Sequence, residues 1–294
     1  IHARLENITH SRGKYAPYQV GLAAALACSA FVFLLGGGPV EMICSFIGAG
    51  LGNYVRRKMS DRHITMFAGI GVAVAVACLS YLLALTVLQF GFHVSSRHEA
   101  GYIGAMLFVI PGFPFITSGL DLSKLDMRSG LERLAYAALI VVVATLVGWV
   151  VAMAVNLRPE NFPHLALTPL VYMLLRLPAS FCGVFGFSIM FNSTPKMAAL
   201  AGLIGAVANT TRLELVDLAQ IPAGPAAFVG AMIAGLLAWI VKRKVRYPQI
   251  SITVPSIVIM VPGLYMYRAM YNIGLTSISV GALWLTKALL IVIF

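Results

Sequence analysis

Charged residues are scarce in this chain, and acidic residues are the scarcest. Of 294 residues, 11% are charged and 10 are Asp or Glu, whereas 60% are hydrophobic. Soluble domains carry about a quarter charged residues, so the composition argues against a soluble protein. Few of the long apolar stretches contain a charge, and a membrane-spanning helix needs about 20 such residues. We therefore predict an integral membrane protein whose main partner is the lipid bilayer.

The chain also lacks the marks of several other classes. Runs of about ten residues with alternating hydrophobicity, which are typical of membrane strands, are absent, so the predicted fold is all-α. No GxSxG, HExxH or Walker motif occurs, and we predict no catalytic residue, no cofactor and no metal site. The cysteines have neither CxxC spacing nor a neighbouring histidine, and we interpret them as small core residues. They are Cys28, Cys44, Cys78 and Cys182.

The net charge of +11 raises the question of a nucleic-acid partner. The basic residues, however, stand in short clusters such as RRK at 56–58 and KRK at 242–244, and each cluster adjoins the end of an apolar run. Lys and Arg accumulate in this way at the cytoplasmic ends of membrane helices. We therefore predict no nucleic-acid partner.

The length rule divides the chain into ten candidate membrane spans. They are about 17–36, 39–55, 64–90, 101–119, 131–155, 168–190, 195–211, 223–241, 250–270 and 275–293. The second and seventh spans are short, and turn signals such as GGGP and NSTP separate several of the others. The sequence therefore predicts a polytopic membrane protein of about ten transmembrane helices.

Lys and Arg are unevenly distributed over the loops between these spans. With the N-terminus in the cytoplasm, the inner side receives Arg4, Arg12, Lys14, Arg56, Arg57, Lys58, Arg62, Lys124, Arg128, Arg133, Lys196, Lys242, Arg243, Lys244 and Arg246. The outer side receives Arg97, Arg158, Arg212 and Arg268. The positive-inside rule then predicts a multi-pass protein of the inner (plasma) membrane with both termini in the cytoplasm.

The first residues, IHARLENITHSRGKY, are polar and lack the apolar core of a signal peptide. We interpret residues 1–16 as the tail of a preceding soluble segment. Two five-helix membrane modules follow at 17–155 and 169–294, joined by an outer linker at 156–168.

The two modules repeat each other weakly. An offset of 156 residues places Pro39 on Pro195, Asn53 on Asn209 and Arg56 on Arg212. Because each module has five spans, an odd number, the second module enters the membrane from the opposite side. Many secondary transporters are built from such inverted repeats, with the substrate site where interrupted helices meet near the midplane. A helical bundle that repeats loosely without transport is the alternative.

A Pro-Gly pair interrupts the fourth span of each module. Pro111 and Gly112 lie within FVIPGFPFITSGLDL, and Pro262 and Gly263 lie within IMVPGLYMYRAMYNI. Proline removes a helical hydrogen bond, and the freed backbone groups are tolerated in a membrane where they line a cavity. A simple kink is the alternative, but the matching positions favour a functional break. We predict that these four residues belong to a substrate site.

Polar side chains follow each break. Thr117 and Ser118 follow the first, whereas Tyr265, Arg268 and Asn272 follow the second. The last three are spaced i, i+3 and i+7, so they share one helix face. Arg268 can hold a carboxylate through two hydrogen bonds, although snorkelling to the outer interface is the alternative. We predict that all five residues contact the substrate.

Three further residues complete the candidate site. Asn209 and Arg212 bring polar groups to the outer end of the seventh span, where a structural ion pair between Arg212 and Glu214 is the alternative. Asp121 is the candidate for proton coupling, because acidic residues within a membrane are scarce and costly. A capping role beside the loop DLSKLDMRSG is the alternative for Asp121.

The order of these patterns resembles the threonine/serine exporter family over nearly the whole chain. The residues that carry the resemblance are PGFPFITSGLDL with GLERLAYA at 130–137, GFSIMFN at 186–192, ANTTRLEL at 208–215 and VPSIVIMVPGLYMYRAMY at 254–271. The resemblance implies export of small hydrophilic metabolites, with threonine and serine as substrates and proton motive force as the drive. It also implies a soluble segment before the first module. The second proline of PGFP departs from the family's plain PG.

Several functions remain open on these residues. A secondary active exporter of small amino acids, with protons as the coupling ion, is the first hypothesis. Related two-component family members resemble dicarboxylate exporters, so a small dicarboxylate such as succinate is the nearest alternative. A non-transporting scaffold or receptor and a channel are further alternatives, and small-residue faces such as GAGLG suit either internal packing or a homo-oligomer.

Overall fold

The structure is a computed structural model that describes residues 14–92, 98, 101–157, 162, 165–245, 247–275 and 277–293. Within these ranges the chain forms helices and no strand. The helices are α1 (Pro17–Leu34), α2 (Pro39–Asp61), α3 (Met66–Phe92), α4 (Tyr102–Met106), α5 (Gly112–Ser123), α6 (Met127–Ala154), α7 (Pro169–Met190), α8 (Pro195–Asp217), α9 (Ala223–Val245), α10 (Gln249–Ile257), α11 (Gly263–Leu275) and α12 (Ile278–Ile293). Most of the predicted tail at 1–16 lies outside the described residues, as do Arg97, Arg158 and Arg246.

Every predicted span coincides with a helix or with a bent pair of helices. Six helices are long and apolar enough to cross a membrane, and the number rises to eight if each bent pair counts as one span. The all-helical membrane fold is therefore confirmed. Helix α2 falls outside this group because its last turns carry several charges, and α12 is an apolar helix of only 16 residues.

The second and seventh predicted spans belong to helices that are longer than their apolar segments. Helices α2 and α8 have 23 residues each and end at Asp61 and Asp217. The basic residues after Asn53 continue α2 instead of ending it, because charged side chains past the apolar segment can reach water while the backbone stays helical. The span length was inferred from hydropathy, which measures only the apolar part of such a helix.

The turns that precede α2 and α8 have the same geometry. In the first, Gly36 has a φ of 97° and the amide of Gly37 donates to the carbonyl of Val32 at 2.9 Å. In the second, Asn192 has a φ of 63° and the amide of Ser193 donates to the carbonyl of Ser188 at 3.1 Å. Gly and Asn are the residues that adopt this left-handed conformation most readily at a helix end. The GGGP and NSTP signals therefore form equivalent turns.

Helices α1 and α7 pack against each other in antiparallel orientation. The amide of Lys14 donates to Oδ1 of Asn192 at 3.0 Å, so the start of α1 lies beside the end of α7. At the other end, the rings of Phe33 and Tyr172 stack with their centroids 6.2 Å apart. Gly186 on α7 lies against the backbone of α1 at Ala23, where an added Cβ would clash. The first helices of the two predicted modules thus pack directly against each other.

Helix α2 is held at its start by a buried carboxylate. Oε2 of Glu41 accepts the Gly38 amide at 3.0 Å, and Oε1 lies 2.7 Å from Nδ1 of His98. The Glu41 side chain is fully buried, so its negative charge depends on these two contacts and on the positive end of the α2 dipole. Sequence inspection did not single out either residue.

Replacing Glu41 with alanine is expected to lower the free energy of unfolding by about 2–3 kcal/mol, because the α2 cap and the His98 contact are lost together. Glu41→Gln keeps an acceptor for the Gly38 amide and should lose less. Thermal denaturation in detergent measures the difference. The matched control is Glu132→Ala, since Glu132 is an exposed residue whose one ion-pair partner in the described part of the chain is Arg128. Equal melting temperatures for both alanine variants would contradict the assignment.

Candidate functional site

The two Pro-Gly pairs break their helices in the same way. A 3-10 turn precedes each break, at Leu107–Val109 and at Val258–Met260. The next residue is extended, and the amide of the glycine bridges back to it, with Gly112 to Ile110 at 2.8 Å and Gly263 to Val261 at 2.9 Å. The two bent pairs turn by 51° and 44°. Both pairs are therefore full interruptions of the helix and not gentle kinks.

A cavity of about 510 Å³ adjoins the second break. Five predicted substrate residues line it together with Pro262: Asn209, Arg212, Gly263, Tyr265 and Arg268. Apolar and aromatic side chains form the rest of the wall, including Phe31, Tyr172 and Trp284. No acidic residue is among the described residues that line this cavity, which we call the Arg212 cavity. The structure thus gathers the second-break residues and the end of α8 around one space.

Arg212 faces this cavity without a carboxylate partner among the described residues. Its Nη1 reaches the carbonyl oxygen of Met260 at 3.4 Å, and its buried Nε has no hydrogen-bond partner. The expected pair between Arg212 and Glu214 does not form. Glu214 instead accepts from Nη1 of Arg176 at 2.7 Å, and Asp217 contacts the same guanidinium. Arg176 thereby takes both nearby acids and leaves the charge of Arg212 available for a ligand.

Arg268 lies against an aromatic wall. Its guanidinium carbon is 5.0 Å from the centre of the Trp284 ring, and Trp284 also contacts the ring of Tyr265 with centroids 5.4 Å apart. Lys287 lies 5.1 Å from the centre of the same indole. A cation over an aromatic face is stabilised by the ring quadrupole without using up its hydrogen-bond donors. Trp284 was not identified from the sequence, because it lies in the last helix, far along the chain from the break.

Asn209 lies in the cavity wall and has one acceptor without a partner. Its Nδ2 donates to Oγ of Ser180 at 2.9 Å, which fixes the orientation of the amide group. Its Oδ1 is buried and has no partner. Buried polar atoms in native proteins nearly always have a partner, so an unpaired acceptor beside a cavity indicates a place for a donor from a ligand.

Three other residues of the predicted site line none of the cavities at the breaks: Thr117, Ser118 and Asn272. Thr117 donates to the carbonyl of Phe113 at 2.9 Å, and Ser118 donates to the carbonyl of Gly130 at 2.7 Å. Both are buried, and their hydrogen bonds stabilise helix α5 and its packing against α6. Asn272 donates to the carbonyl of Arg268 at 2.7 Å and lies one turn beyond the cavity wall. The face shared by Tyr265, Arg268 and Asn272 is therefore only partly a cavity face.

Asp121 lies in α5, close to the loop that leads to α6. Its Oδ2 is 3.2 Å from Nη1 of Arg133, a half-exposed residue of α6. The Asp121 side chain is 23% exposed and lines none of the cavities at the breaks.

A second cavity of about 270 Å³ adjoins the first break. Pro111 lines it with residues from the end of α2, among them Asn53 and Arg56. A third, much smaller cavity of about 30 Å³ lies between it and the Arg212 cavity and shares wall residues with both. Apolar residues of both modules surround this small cavity, which we call the apolar partition: Phe31, Leu107, Phe108, Ile110, Gly112, Phe187, Phe191, Val258, Val261 and Gly263. The two breaks thus meet at the partition, with one cavity on each side.

The chemistry available in these cavities is that of anion binding. No group of three or more His, Cys, Asp or Glu side chains suited to a metal ion occurs in the described ranges. The Arg212 cavity offers two guanidinium groups, two tyrosines and the broken backbone in a setting of low polarity, where electrostatic contacts are stronger than in water. Arg groups bind carboxylates with two parallel hydrogen bonds.

Two family descriptions match the chain. "Putative threonine/serine exporter" covers residues 1–156, and "Threonine/Serine exporter, ThrE" covers residues 176–294. Together they extend over the two predicted modules. No solved structure matches the chain.

Among curated proteins, the chain is similar to the "Probable succinate transporter subunit YjjP" of Escherichia coli (strain K12), with 28% identity over 142 residues, which are 48% of this chain and 54% of that protein. The protein of the same name from Klebsiella aerogenes is 27% identical over 143 residues, 48% of this chain and 52% of that protein. The chain thus spans about half the length of these relatives. The apolar helices indicate a multi-pass membrane protein, and the two family descriptions show that the chain belongs to the threonine/serine exporter family.

Proposed function

We propose that this chain is a secondary active exporter of small hydrophilic metabolites that carry a carboxylate, with threonine and serine as its first substrates. The observation that carries the proposal is the cavity of about 510 Å³ into which Arg212 and Arg268 both project beside the broken helix. The buried guanidinium of Arg212 has no carboxylate partner among the described residues, which is costly, so a carboxylate from a ligand stabilises the site. Ligand pockets of about 300–1,000 Å³ bind small molecules, and the cavity falls in this range.

An amino acid satisfies the site in two places. Its carboxylate takes the donors of Arg212 and Arg268, and its ammonium group donates to Oδ1 of Asn209, the buried acceptor without a partner. The tyrosine hydroxyl of Tyr265 is then available for the side-chain hydroxyl of serine or threonine.

A small dicarboxylate such as succinate is the second candidate, and the charge of the cavity favours it. Two arginines and no lining acid among the described residues match two negative charges better than a zwitterion. The relatives named as probable succinate transporter subunits support this candidate. The two substrates differ in one respect that can be tested, since only the amino acid depends on the Asn209 acceptor.

The proposed mechanism is alternating access across the apolar partition. In this scheme the chain has ten spans in two inverted modules, proposed at 17–155 and 169–294, and it lies in the inner membrane with both termini proposed to be cytoplasmic. The antiparallel packing of α1 on α7 supports the inversion, because these helices hold the same position in their modules. Rocking of one module against the other then opens the cavities in turn, as inverted repeats do. Pro111, Gly112, Thr117 and Ser118 act in this scheme as part of the moving first break.

Efflux from proteoliposomes tests the proposal. Vesicles are loaded with labelled serine, labelled threonine or labelled succinate, and efflux is followed with and without an imposed pH gradient. We expect efflux that the gradient accelerates and that the unlabelled form of the true substrate inhibits. Asn209→Asp alters the acceptor on which only the amino acid depends, so it should change the rate of serine efflux more than the rate of succinate efflux. Absence of efflux for all three compounds would refute the proposed substrate class.

Asp121→Asn is expected to uncouple transport from protons. The asparagine cannot lose a proton, so efflux driven by the pH gradient should fall to the rate seen without a gradient, while exchange of labelled for unlabelled substrate persists. The matched control is Glu132→Gln, which removes an exposed acid of the same inner loop region. Gradient-driven efflux at the wild-type rate in Asp121→Asn would show that another group carries the proton.

A further inference from the structure

Helices α2 and α8 are equivalent along their whole length. Both have 23 residues, both begin with proline after an equivalent turn, and both end with Asp. Asn53 and Arg56 hold in α2 the positions that Asn209 and Arg212 hold in α8. In each pair the arginine follows the asparagine by three residues, so the two side chains share a helix face.

The asparagines of the two helices also play equivalent structural roles. Nδ2 of Asn53 donates to the carbonyl of Val20 on α1 at 2.9 Å, just as Nδ2 of Asn209 donates to Ser180 on α7. Each asparagine therefore ties its helix to the first helix of the same module. This tie orients the arginine one turn later towards the break, Arg56 towards Pro111 and Arg212 towards Pro262.

Arg56 is a half-buried cation without an acidic partner among the described residues. Its neighbour Arg57 has one, since Nε of Arg57 lies 3.6 Å from Oδ1 of Asp61. No acidic residue lines the cavity beside Pro111 within the described ranges. Withdrawing a guanidinium from water is costly unless an anion compensates for it. The position of Arg56 thus repeats the feature that makes the Arg212 cavity an anion site.

We propose that the 270 Å³ cavity beside Pro111 is a second carboxylate site, centred on Arg56 and oriented by Asn53, on the opposite side of the apolar partition from Arg212. This inference rests on the proposed function, because its ligand is the same exported carboxylate. The substrate passes from one arginine to the other as the partition opens. The phenol of Tyr136 and the rings of Phe113 and Phe191 line the space between Arg56 and the partition.

A membrane-lipid headgroup offers the same anionic chemistry, but the shape of the cavity favours the exported metabolite. The wall continues from Arg56 along Pro111 and Pro114 to Phe191, which also lines the partition. A volume of about 270 Å³ lies just below the range for drug-sized ligands, which suits a metabolite of a few carbon atoms.

Equilibrium binding to the purified chain in nanodiscs tests the second site. Labelled succinate and labelled serine are the probes, and zwitterionic lipid is used first. Because both cavities exist in this conformation, we expect two bound molecules of the true substrate per chain. Arg56→Gln should remove one of them, Arg212→Gln the other, and the double variant both. Lys58→Gln is the matched control, because it removes an exposed positive charge from the same helix end and should leave two.

The outcomes separate this inference from the proposed function. A single bound molecule that only Arg212→Gln removes, or unchanged binding in Arg56→Gln, refutes the second site and leaves the exporter proposal standing. Unchanged binding in Arg212→Gln refutes both. Displacement of the Arg56-dependent molecule by anionic lipid in the nanodisc assigns the cavity to headgroups and also refutes the proposal. If Arg56→Gln does not fold, as judged by gel filtration, Arg56→Lys replaces it, with an expected affinity loss of about tenfold at one site because the bidentate contact is lost.

Discussion

Replacing Arg212 with glutamine is expected to lower substrate affinity by at least about 30-fold, equivalent to about 2 kcal/mol, and to abolish measurable export at submillimolar substrate. The side chain is shortened only slightly, but the cavity loses the cation whose Nε has no partner within the protein. Arg268 remains in the wall, but it lies against Trp284 and the site then holds one guanidinium group instead of two. Binding of labelled serine and succinate, together with efflux from proteoliposomes, measures the loss.

Two further variants make the Arg212 experiment specific. Arg212→Lys keeps the charge but loses the planar pair of donors, so its affinity should lie between those of the wild type and Arg212→Gln. Arg128→Gln removes an arginine that is 91% exposed, and it should bind and export as the wild type does. Wild-type affinity in Arg212→Gln would move the substrate site away from the second break.

Gly48→Val is expected to destabilise the fold by about 3 kcal/mol or more, because the added side chain would overpack the contact between α2 and α3. An added Cβ at Gly48 would lie 2.6 Å from the backbone carbonyl oxygen of Ala77 on α3, and 3.1 Å from the Cβ of Ala105 on α4. A backbone oxygen cannot rotate away as a side chain can, so α2 and α3 must separate. The yield of monodisperse protein and its melting temperature in detergent measure the effect.

Gly235→Val in α9 is the matched control for Gly48. No atom lies within 4 Å of a Cβ built on Gly235, so valine there meets open space. Only the small difference in helix propensity between glycine and valine remains, and it slightly favours valine. A loss of stability as large for Gly235→Val as for Gly48→Val would show that the close approach of α2 to α3 is not the cause.

Much of the architecture could be predicted because membrane helices are encoded locally. Hydropathy located each helix, since a span needs a continuous apolar segment whatever its neighbours are. The Pro-Gly pairs located the breaks, because proline acts on its own turn. The offset between Pro39 and Pro195 also anticipated the equivalence of α2 and α8. It linked Arg56 to Arg212, although only Arg212 was then included in the predicted site.

The site was less predictable because it depends on contacts between distant segments. Glu214 is two residues from Arg212 in sequence, yet it pairs with Arg176 on the neighbouring helix, and no local rule distinguishes the two arginines. Trp284 shapes the cavity from the last helix for the same reason. Thr117 and Ser118 look available in sequence, but threonine and serine in helices readily donate to the carbonyls of the preceding turn, as Thr117 does here.

The apolar partition has a thermodynamic consequence. Phe31 and Phe187 meet at its centre, edge to face with centroids 6.5 Å apart, and they hold equivalent positions in α1 and α7. In the proposed rocking motion, each of the two phenylalanine rings moves into surroundings like those that the other ring had before. The two end states of the motion therefore have nearly the same energy. In the proposed mechanism the protein then needs no large input to change sides, and a modest proton gradient would be enough to set the direction. The second proline of PGFP is present in one module alone. We therefore expect this proline to cause the difference between the resting populations of the two end states.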